Sequence, residues 1–383
     1  MHARQQTGAA MNEARVLAIN PGSTSTKIGI YGQKSVLWTE TIRHGDEEIE
    51  RFRGRPMIAR VGYRYGLIQA ALEKAGYRTK DFVAFAGRGG MLPPLECGTY
   101  RVDAVMVAAL EEARRGEHAS NLGALLALKF AEEAGVEAYI VDPVTCDEWQ
   151  PQARQTGSPL VERVAIGHVL NTKAVARRYA RELGCRYEEL RLVVIHLGSG
   201  ITVSAHRQGR MVDNNTHEDG PFGVDRTGGL PARALARLCF SGKVTAQQVD
   251  KHIFGAGGLV AWLGTRDLLE IEQRIDHGDA LARNLYEAMI YKVGKEAGAM
   301  AAVLEGRVDA VLLTGGMAHS ERLLGELRRY ISWIAPVKVY PGEDELQALA
   351  EGVFRVLNGE EEARQMQPEA EKEGRAPIVF GLE

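Results

Sequence analysis

The stretch VLAINPGSTSTKIGIY, residues 16–31, decides the fold. Residues 16–19 form a short apolar run, and residues 27–31 resume apolar patterning after Asn-Pro-Gly-Ser-Thr-Ser-Thr. Strand, tight polar turn, strand predicts a β-hairpin at the start of a domain. Its tip crowds Ser23, Thr24, Ser25 and Thr26 ahead of Lys27. Successive backbone N–H groups, hydroxyls and an ammonium make a cradle for phosphate, but a ligand-free polar hairpin tip has the same composition. The tip alone leaves both readings open. The pattern GxxxxGK[ST] occurs nowhere, so the tip is not a Walker A loop.

A second hairpin follows half a chain later. Residues 192–197 read as a strand, Gly198-Ser199-Gly200 as a turn, and residues 201–205 as a returning strand. A length of 383 residues suits two domains. Two similar domains, each opening on such a hairpin, could clamp a nucleotide between them. The expected division is 1–14 as a disordered extension, 15–165 and 166–345 as the two domains, 346–358 as a helix returning to the first, and 359–383 as a charged tail.

Composition narrows the partners. A net charge of −3 argues against nucleic acid. No apolar run is long enough to span a membrane. Cys97, Cys146, Cys185 and Cys239 are widely spaced with no CxxC, so neither a disulfide framework nor a zinc site is expected, and the reading is a reducing cytoplasm.

Several positions carry chemistry. Residues 82–86 read as a buried strand running into Gly87-Arg88-Gly89-Gly90; an arginine among glycines can meet a ligand, or it can make a surface salt bridge. Asp142 stands at the end of a strand, a position that suits Mg²⁺ or a nucleotide and equally a helix N-cap. Residues 166–183 contain His168 and then a basic helix over residues 173–183; without further context His168 reads as a structural residue at a helix N-terminus. Asp225 and Arg226 lie in the glycine-rich DGPFGVDRTGGLP, residues 219–231. Gly315-Gly316 follows a strand, where a base or ribose often sits. The small residues Ala288, Gly294, Ala297, Gly298 and Ala301 on one long helix read as a packing face.

Together these elements resemble the acetokinase family of the actin-like ATPase superfamily, and within it the butyrate kinases. The matching motifs are NPGSTSTK (20–27), GRGG (87–90), HASN (118–121), GHVLNTKAVARRYA (167–180), HLGSGITV (196–203), GPFGVDRTGGLP (220–231), LTGGMAHSE (313–321) and PGEDE (341–345), in family order. The resemblance implies an α/β fold: two RNase H-like domains, mixed β-sheets flanked by helices, and an interdomain active-site cleft. It implies Mg²⁺-dependent phosphoryl transfer between ATP and butyrate, giving ADP and butyryl phosphate, by a homodimer or higher homo-oligomer. Residue by residue, it implies that Asn20, Ser23, Ser25 and Lys27 meet phosphate near the metal. Arg88 would bind the carboxylate, and Asp142 and Glu345 would organise Mg²⁺, with Glu343 and Asp344 adjacent in the same acidic run. His168 and Arg226 would stabilise the transferring phosphoryl group. Ser199 and Gly200 would form the second phosphate loop, and Thr265, Arg266, Gly315 and Gly316 would hold the nucleoside. Three positions depart from the family pattern: Gly167, where a Phe commonly precedes the histidine, Ser199, and Gly264. Glycine at 167 leaves volume to a longer acyl chain or to a neighbouring side chain.

Sugar kinases of the same superfamily are the competing reading, with a non-enzymatic actin-like module behind them. A sugar kinase needs a catalytic Asp beside the sugar hydroxyl and usually a Cys/His zinc loop, and no such cluster stands out. A non-enzymatic module gives no reason for arginines such as Arg88 and Arg226.

Overall fold

A computed structural model describes residues 14–45 and 50–368. Nearly all of the expected extension 1–14, and residues 369–383 of the expected tail, lie outside the described residues. The chain divides into two compact units. Residues up to Asp147, Ser158–Val161 and the chain from Asp344 onward make the first; Glu148–Gly157 and Glu162–Glu343 make the second. Among the described residues, no helix is long and apolar enough to cross a membrane.

The first unit holds strands β1 (Val16–Pro21), β2 (Ser25–Tyr31), β3 (Val36–Arg43), β4 (Ala84–Gly87), β5 (Thr99–Arg101) and β6 (Glu137–Val141). They form one sheet in the order β3-β2-β1-β4-β6-β5. β1 and β2 pair antiparallel as the expected hairpin, with Asn20 opposite Lys27 and Pro21 opposite Thr26. β4 runs parallel to β1, and β6 parallel to β4. Helices Val61–Lys74, Ala104–Glu112 and Asn121–Ala134 build its core with the sheet, around Leu17, Ile19, Ile28, Ile30, Phe85 and Phe130. The helix Glu345–Leu357 packs on β1, β2 and β6.

The expected charged tail from residue 359 is docked on the first unit over its first part. Arg364 bridges to Tyr100, Thr99 N–H donates to Glu361 at 2.6 Å, and Met366 is buried in the first unit's core. A polar segment docks here because its charges pair, Arg355 with Glu361 and Arg364 with Glu96, while one methionine supplies the apolar anchor.

The second unit repeats the plan. Its strands are β7 (Arg191–Leu197), β8 (Ile201–Arg207), β9 (Arg210–Asn214), β10 (Ala310–Gly315) and β11 (Val337–Pro341), in the order β11-β10-β7-β8-β9. β7 and β8 form the second hairpin, and β10 runs parallel to β7 and to β11. Hairpin, third antiparallel strand and two parallel strands thus follow one another in both units. Alternate residues of β7 and β10 serve opposite faces, as strand geometry requires. Val193, Ile195, Val311 and Leu313 join a core with helices Leu268–Asp276, Ala280–Val303 and Glu321–Ile331. Leu192, Val194, Ala310 and Leu312 face helix Val169–Leu183. On the long helix, a Cβ at Gly294 would lie 2.5 Å from Tyr330 Cβ, so the small face does serve close packing.

One half-buried carboxyl in this unit makes stability depend on pH. Burial, aided by Asp219 and Asp213 and opposed by Arg163, pushes Glu296 up to about 7 from 4.5. Between those values the folded protein keeps a proton that the unfolded chain has released. Stability from this group therefore falls as pH rises, by at most about 1.4 kcal/mol per pH unit. His206, lowered to about 3 by burial, acts in the opposite direction below pH 6.5. Glu296→Gln removes the first effect and keeps the second. Urea midpoints from pH 4.5 to 7 should shift progressively in favour of the variant; parallel curves would contradict the assignment.

Candidate functional site

The hairpin tip of the first unit is held from below. Arg64, fully buried on helix Val61–Lys74, donates to the carbonyls of Gly22 at 2.8 Å and Ser23 at 3.4 Å. Thr26 is also buried, and its hydroxyl is hydrogen-bonded to His44 Nε2 at 2.8 Å. Of the four hydroxyls at the tip, Thr26 is therefore structural. Ser23 and Lys27 are exposed, and Ser25 is half-buried. Arg64→Met leaves two turn carbonyls without their charged donor and should cost about 3 kcal/mol. Chemical denaturation measures it, and a loss below about 1 kcal/mol would contradict the buttress.

Arg88 follows β4 directly. The open alternative of a surface salt bridge is corrected: Arg88 is buried, and its guanidinium pairs with Glu345, which also accepts from the Asn20 amide. Asn20, Arg88 and Glu345 are thus brought together by the end of β1, the end of β4 and the start of the last long helix. The glycines around Arg88 are required by close approach. A Cβ on Gly87 would lie 2.1 Å from Gly123 O, and Asn121 Oδ1 accepts from Met91 N–H at 2.9 Å. The HASN motif therefore positions the GRGG loop.

Asp142 lies just past β6, buried, with a left-handed φ of 39°. No helix starts there, so the N-cap reading is corrected. Its Oδ1 accepts from Gly98 N–H at 2.9 Å, and its own N–H donates to Gly98 O at 3.0 Å. Its carboxylate lies with the thiols of Cys97 and Cys146, which sequence spacing did not foretell.

In the second unit His168 precedes helix Val169–Leu183 without capping it. Its Nδ1 is hydrogen-bonded to Thr202 Oγ1 at 2.9 Å, and its ring stacks on His196, centroids 3.9 Å apart and planes at 9°. His196 is fully buried. The Asn171 amide donates to its Nδ1 at 2.8 Å, which leaves the ring proton on Nε2, 3.2 Å from Glu343 Oε1. Sequence reading leaves His196 in the core or behind the reacting groups; the structure buries it as the platform beneath His168.

Gly200 lies between the side chains of Arg226 and His168. A Cβ there would be 3.4 Å from both Arg226 Nε and His168 Cε1. The VDRTGG loop is docked on the same turn, Val224 N–H donating to Ser199 O at 3.1 Å. Arg226 pairs with Asp225 and lies over the Phe254 ring, 3.8 Å from its centroid. Burial pulls its pKa below the ordinary arginine value, and Asp225 pushes it back up. Arg266 approaches the same Asp225 at 3.9 Å and donates to Gly255 O, whereas Thr265 bonds Glu270 at 2.5 Å. Gly315 ends β10 with φ +94°, and a Cβ would lie 2.4 Å from Leu197 O. The Gly315-Gly316 turn and the Gly198–Gly200 turn are thus neighbours at the ends of two parallel strands, where ligands bind in α/β sheets. Gly316 faces open space.

Gly167 does not open a simple cavity. A Cβ would meet Asn214 Nδ2 at 3.0 Å and Thr202 Cγ2 at 3.3 Å. Of the two alternatives, acyl chain or neighbouring side chain, the second holds at this position: Asn214 and Thr202 occupy it.

Solved structures share this fold. The acetate kinase of Porphyromonas gingivalis is 19% identical, with 90% of this chain and 100% of that one covered and a TM-score of 0.73. The propionate kinase of Francisella tularensis subsp. tularensis is 13% identical, with 88% and 98% covered and a TM-score of 0.69. The acetate kinase of Entamoeba histolytica is 14% identical, with 89% and 99% covered and a TM-score of 0.69. Within that shared fold, residues 165–328, which carry His168, Gly200, Arg226 and Gly315, match the model of the acetokinase family.

Proposed function

We propose that the protein is a short-chain carboxylate kinase that interconverts ATP and butyrate with ADP and butyryl phosphate. The observation that carries the reading is the convergence of His168 and Arg226 over Gly200, inside the segment that matches the acetokinase model. A carboxylate is already ionised at neutral pH, so its oxygen attacks the γ-phosphorus with no base to take a proton. The bond from that phosphorus to the β–γ bridging oxygen breaks, and ADP leaves with the electron pair. The obstacle is charge: two anions about 4 Å apart repel by roughly 4 kcal/mol at an effective dielectric of about 20. Arg88 offers its guanidinium to the carboxylate, and Lys27 with Ser23 and Ser25 meets phosphate. Arg226 and His168 meet the equatorial oxygens, on which charge is spread as the phosphoryl group transfers. Ser199 and Gly200 hold a second phosphate, and Thr265, Arg266, Gly315 and Gly316 the nucleoside.

Asp142 and Glu345 offer carboxylate oxygens, the ligand class Mg²⁺ takes, and Asn20 lies against Glu345. Bound there with ATP, Mg²⁺ would neutralise phosphate charge.

Butyrate is the substrate favoured by the motif resemblance, with isobutyrate, propionate and acetate as the alternatives. Two extra buried methylenes give butyrate roughly tenfold in kcat/KM over acetate. Measuring kcat/KM for acetate, propionate, butyrate and isobutyrate tests it, and a maximum at acetate would reject butyrate. Gly167→Phe, which must displace Asn214 and Thr202, should lower all four alike.

The protein works in the cytoplasm, consistent with four cysteines present as thiols. It acts as a homodimer or larger homo-oligomer. Helices Ala232–Cys239 and Ala246–Ile253 bury no side chain, and Phe240 beside them is 91% exposed, an apolar surface that a second copy would cover. Sedimentation at micromolar concentration tests this, and a monomer would contradict it.

A further inference from the structure

The first unit contains a cluster whose two thiols the kinase chemistry does not use, beside the Asp142 carboxylate that the kinase reading offers to Mg²⁺. One ligating atom each from Cys97, Asp142 and Cys146 lies within 4.8 Å of the other two, and all three residues are buried. They come from two segments zipped together by their backbones. Asp142 N–H donates to Gly98 O at 3.0 Å and Asp147 N–H to Leu95 O at 2.7 Å, while Leu95 bridges Cys146. The Asp142 carboxylate is fixed further by Gly98 N–H at 2.9 Å. The donors are therefore set by backbone geometry and not by flexible side chains alone. In the same turn the Thr145 hydroxyl is buried without a hydrogen-bond partner.

We infer that Cys97, Asp142 and Cys146 form a binding site for a thiophilic divalent cation of the zinc class. Two sulfurs and one carboxylate oxygen are a donor set that zinc takes, with bonds of about 2.3 Å to sulfur and about 2.0–2.2 Å to oxygen. Tetrahedral bonds of those lengths place the donor atoms roughly 3.5–3.8 Å apart, within the 4.8 Å that bounds the separations in the cluster. Softness selects the cation: thiolates favour zinc or cadmium, whereas Mg²⁺ takes oxygen donors alone. Each thiol gives up its proton as its sulfur binds, so uptake releases two protons and becomes tighter as pH rises. The fourth position is left for water or another oxygen donor. A bound cation would cross-link residues 95–98 to residues 142–147 and stabilise the first unit. The inference does not rest on the kinase reading and differs from it in the cation that the Asp142 carboxylate takes; its readouts are binding and stability.

The test uses the full chain in a Cys185→Ser/Cys239→Ser background, which removes the two thiols outside the cluster. Chelator-treated protein is titrated with Cd²⁺ while the thiolate-to-metal charge-transfer band is followed. One equivalent should saturate the band, and Zn²⁺ should displace Cd²⁺ and raise the thermal midpoint. Cys97→Ser, Cys146→Ser and Asp142→Asn should each weaken affinity at least about tenfold. Absence of a band, or undiminished affinity in Cys97→Ser, would overturn the site. Thiol titration in denaturant covers variants that fail to fold. Two reactive thiols before metal and protection of both in the folded metal-loaded protein support it; no reactive thiols in the untreated protein would mean a Cys97–Cys146 disulfide and would overturn it.

Discussion

Replacing Arg226 by alanine is expected to lower kcat by about 10²–10⁴ with modest change in ATP binding. The side chain lies over Gly200 beside His168, and its approach is fixed twice, by Asp225 and by the Phe254 ring. Both restraints act before substrate arrives, so little reorganisation is needed as charge develops on the phosphoryl oxygens. Burial supplies the rest. Desolvation makes a bare guanidinium costly here, and an anionic oxygen relieves that cost most when its charge is greatest. Arg226→Lys should recover only part of the loss, because an ammonium keeps the charge and loses the planar fork. Steady-state kinetics decides it: near-normal kcat in the alanine variant would remove Arg226 from the transition state.

Arg88→Lys should act on a different constant. Arg88 is buried against Glu345, and Gly87 and Gly123 permit the backbone approach that places it. Its proposed role is to present two parallel N–H groups to a carboxylate. A charge-assisted bond is worth about 1.5–3 kcal/mol, so KM for butyrate should rise about 10–100-fold while KM for ATP holds. A change confined to the ATP KM would reject the acyl assignment. Comparing unfolding midpoints of the two proteins separates this effect from a general loosening around Glu345.

The two sheets were legible because strand and turn chemistry are local. Short apolar runs on either side of NPGSTSTK and of GSG are enough to write both hairpins, and parallel strands ending in glycine follow the same logic. What stayed hidden depends on partners distant in sequence. Nothing in VGYRYG marks Arg64, since its partners are the backbone carbonyls of Gly22 and Ser23. His196 looked like a strand residue until its stacking on His168 and its bond from Asn171 appeared. In the acidic run Glu343–Asp344–Glu345, composition could not assign roles. The structure pairs Glu345 with Arg88 and puts Glu343 beside His196. The segment after residue 358 misled for a related reason: its charges are those of a solvated tail, yet they are matched by charges on the first unit.

The central claim is that a carboxylate oxygen receives the phosphoryl group. Hydroxylamine trapping tests it most directly, with ATP, Mg²⁺ and each linear acid from formate to hexanoate, and with glucose as the hydroxyl-bearing control. The account predicts acyl hydroxamate formed in step with ADP, greatest for butyrate and absent without a carboxylate. ADP release that follows glucose, or ATP hydrolysis with no hydroxamate from any acid, would contradict it.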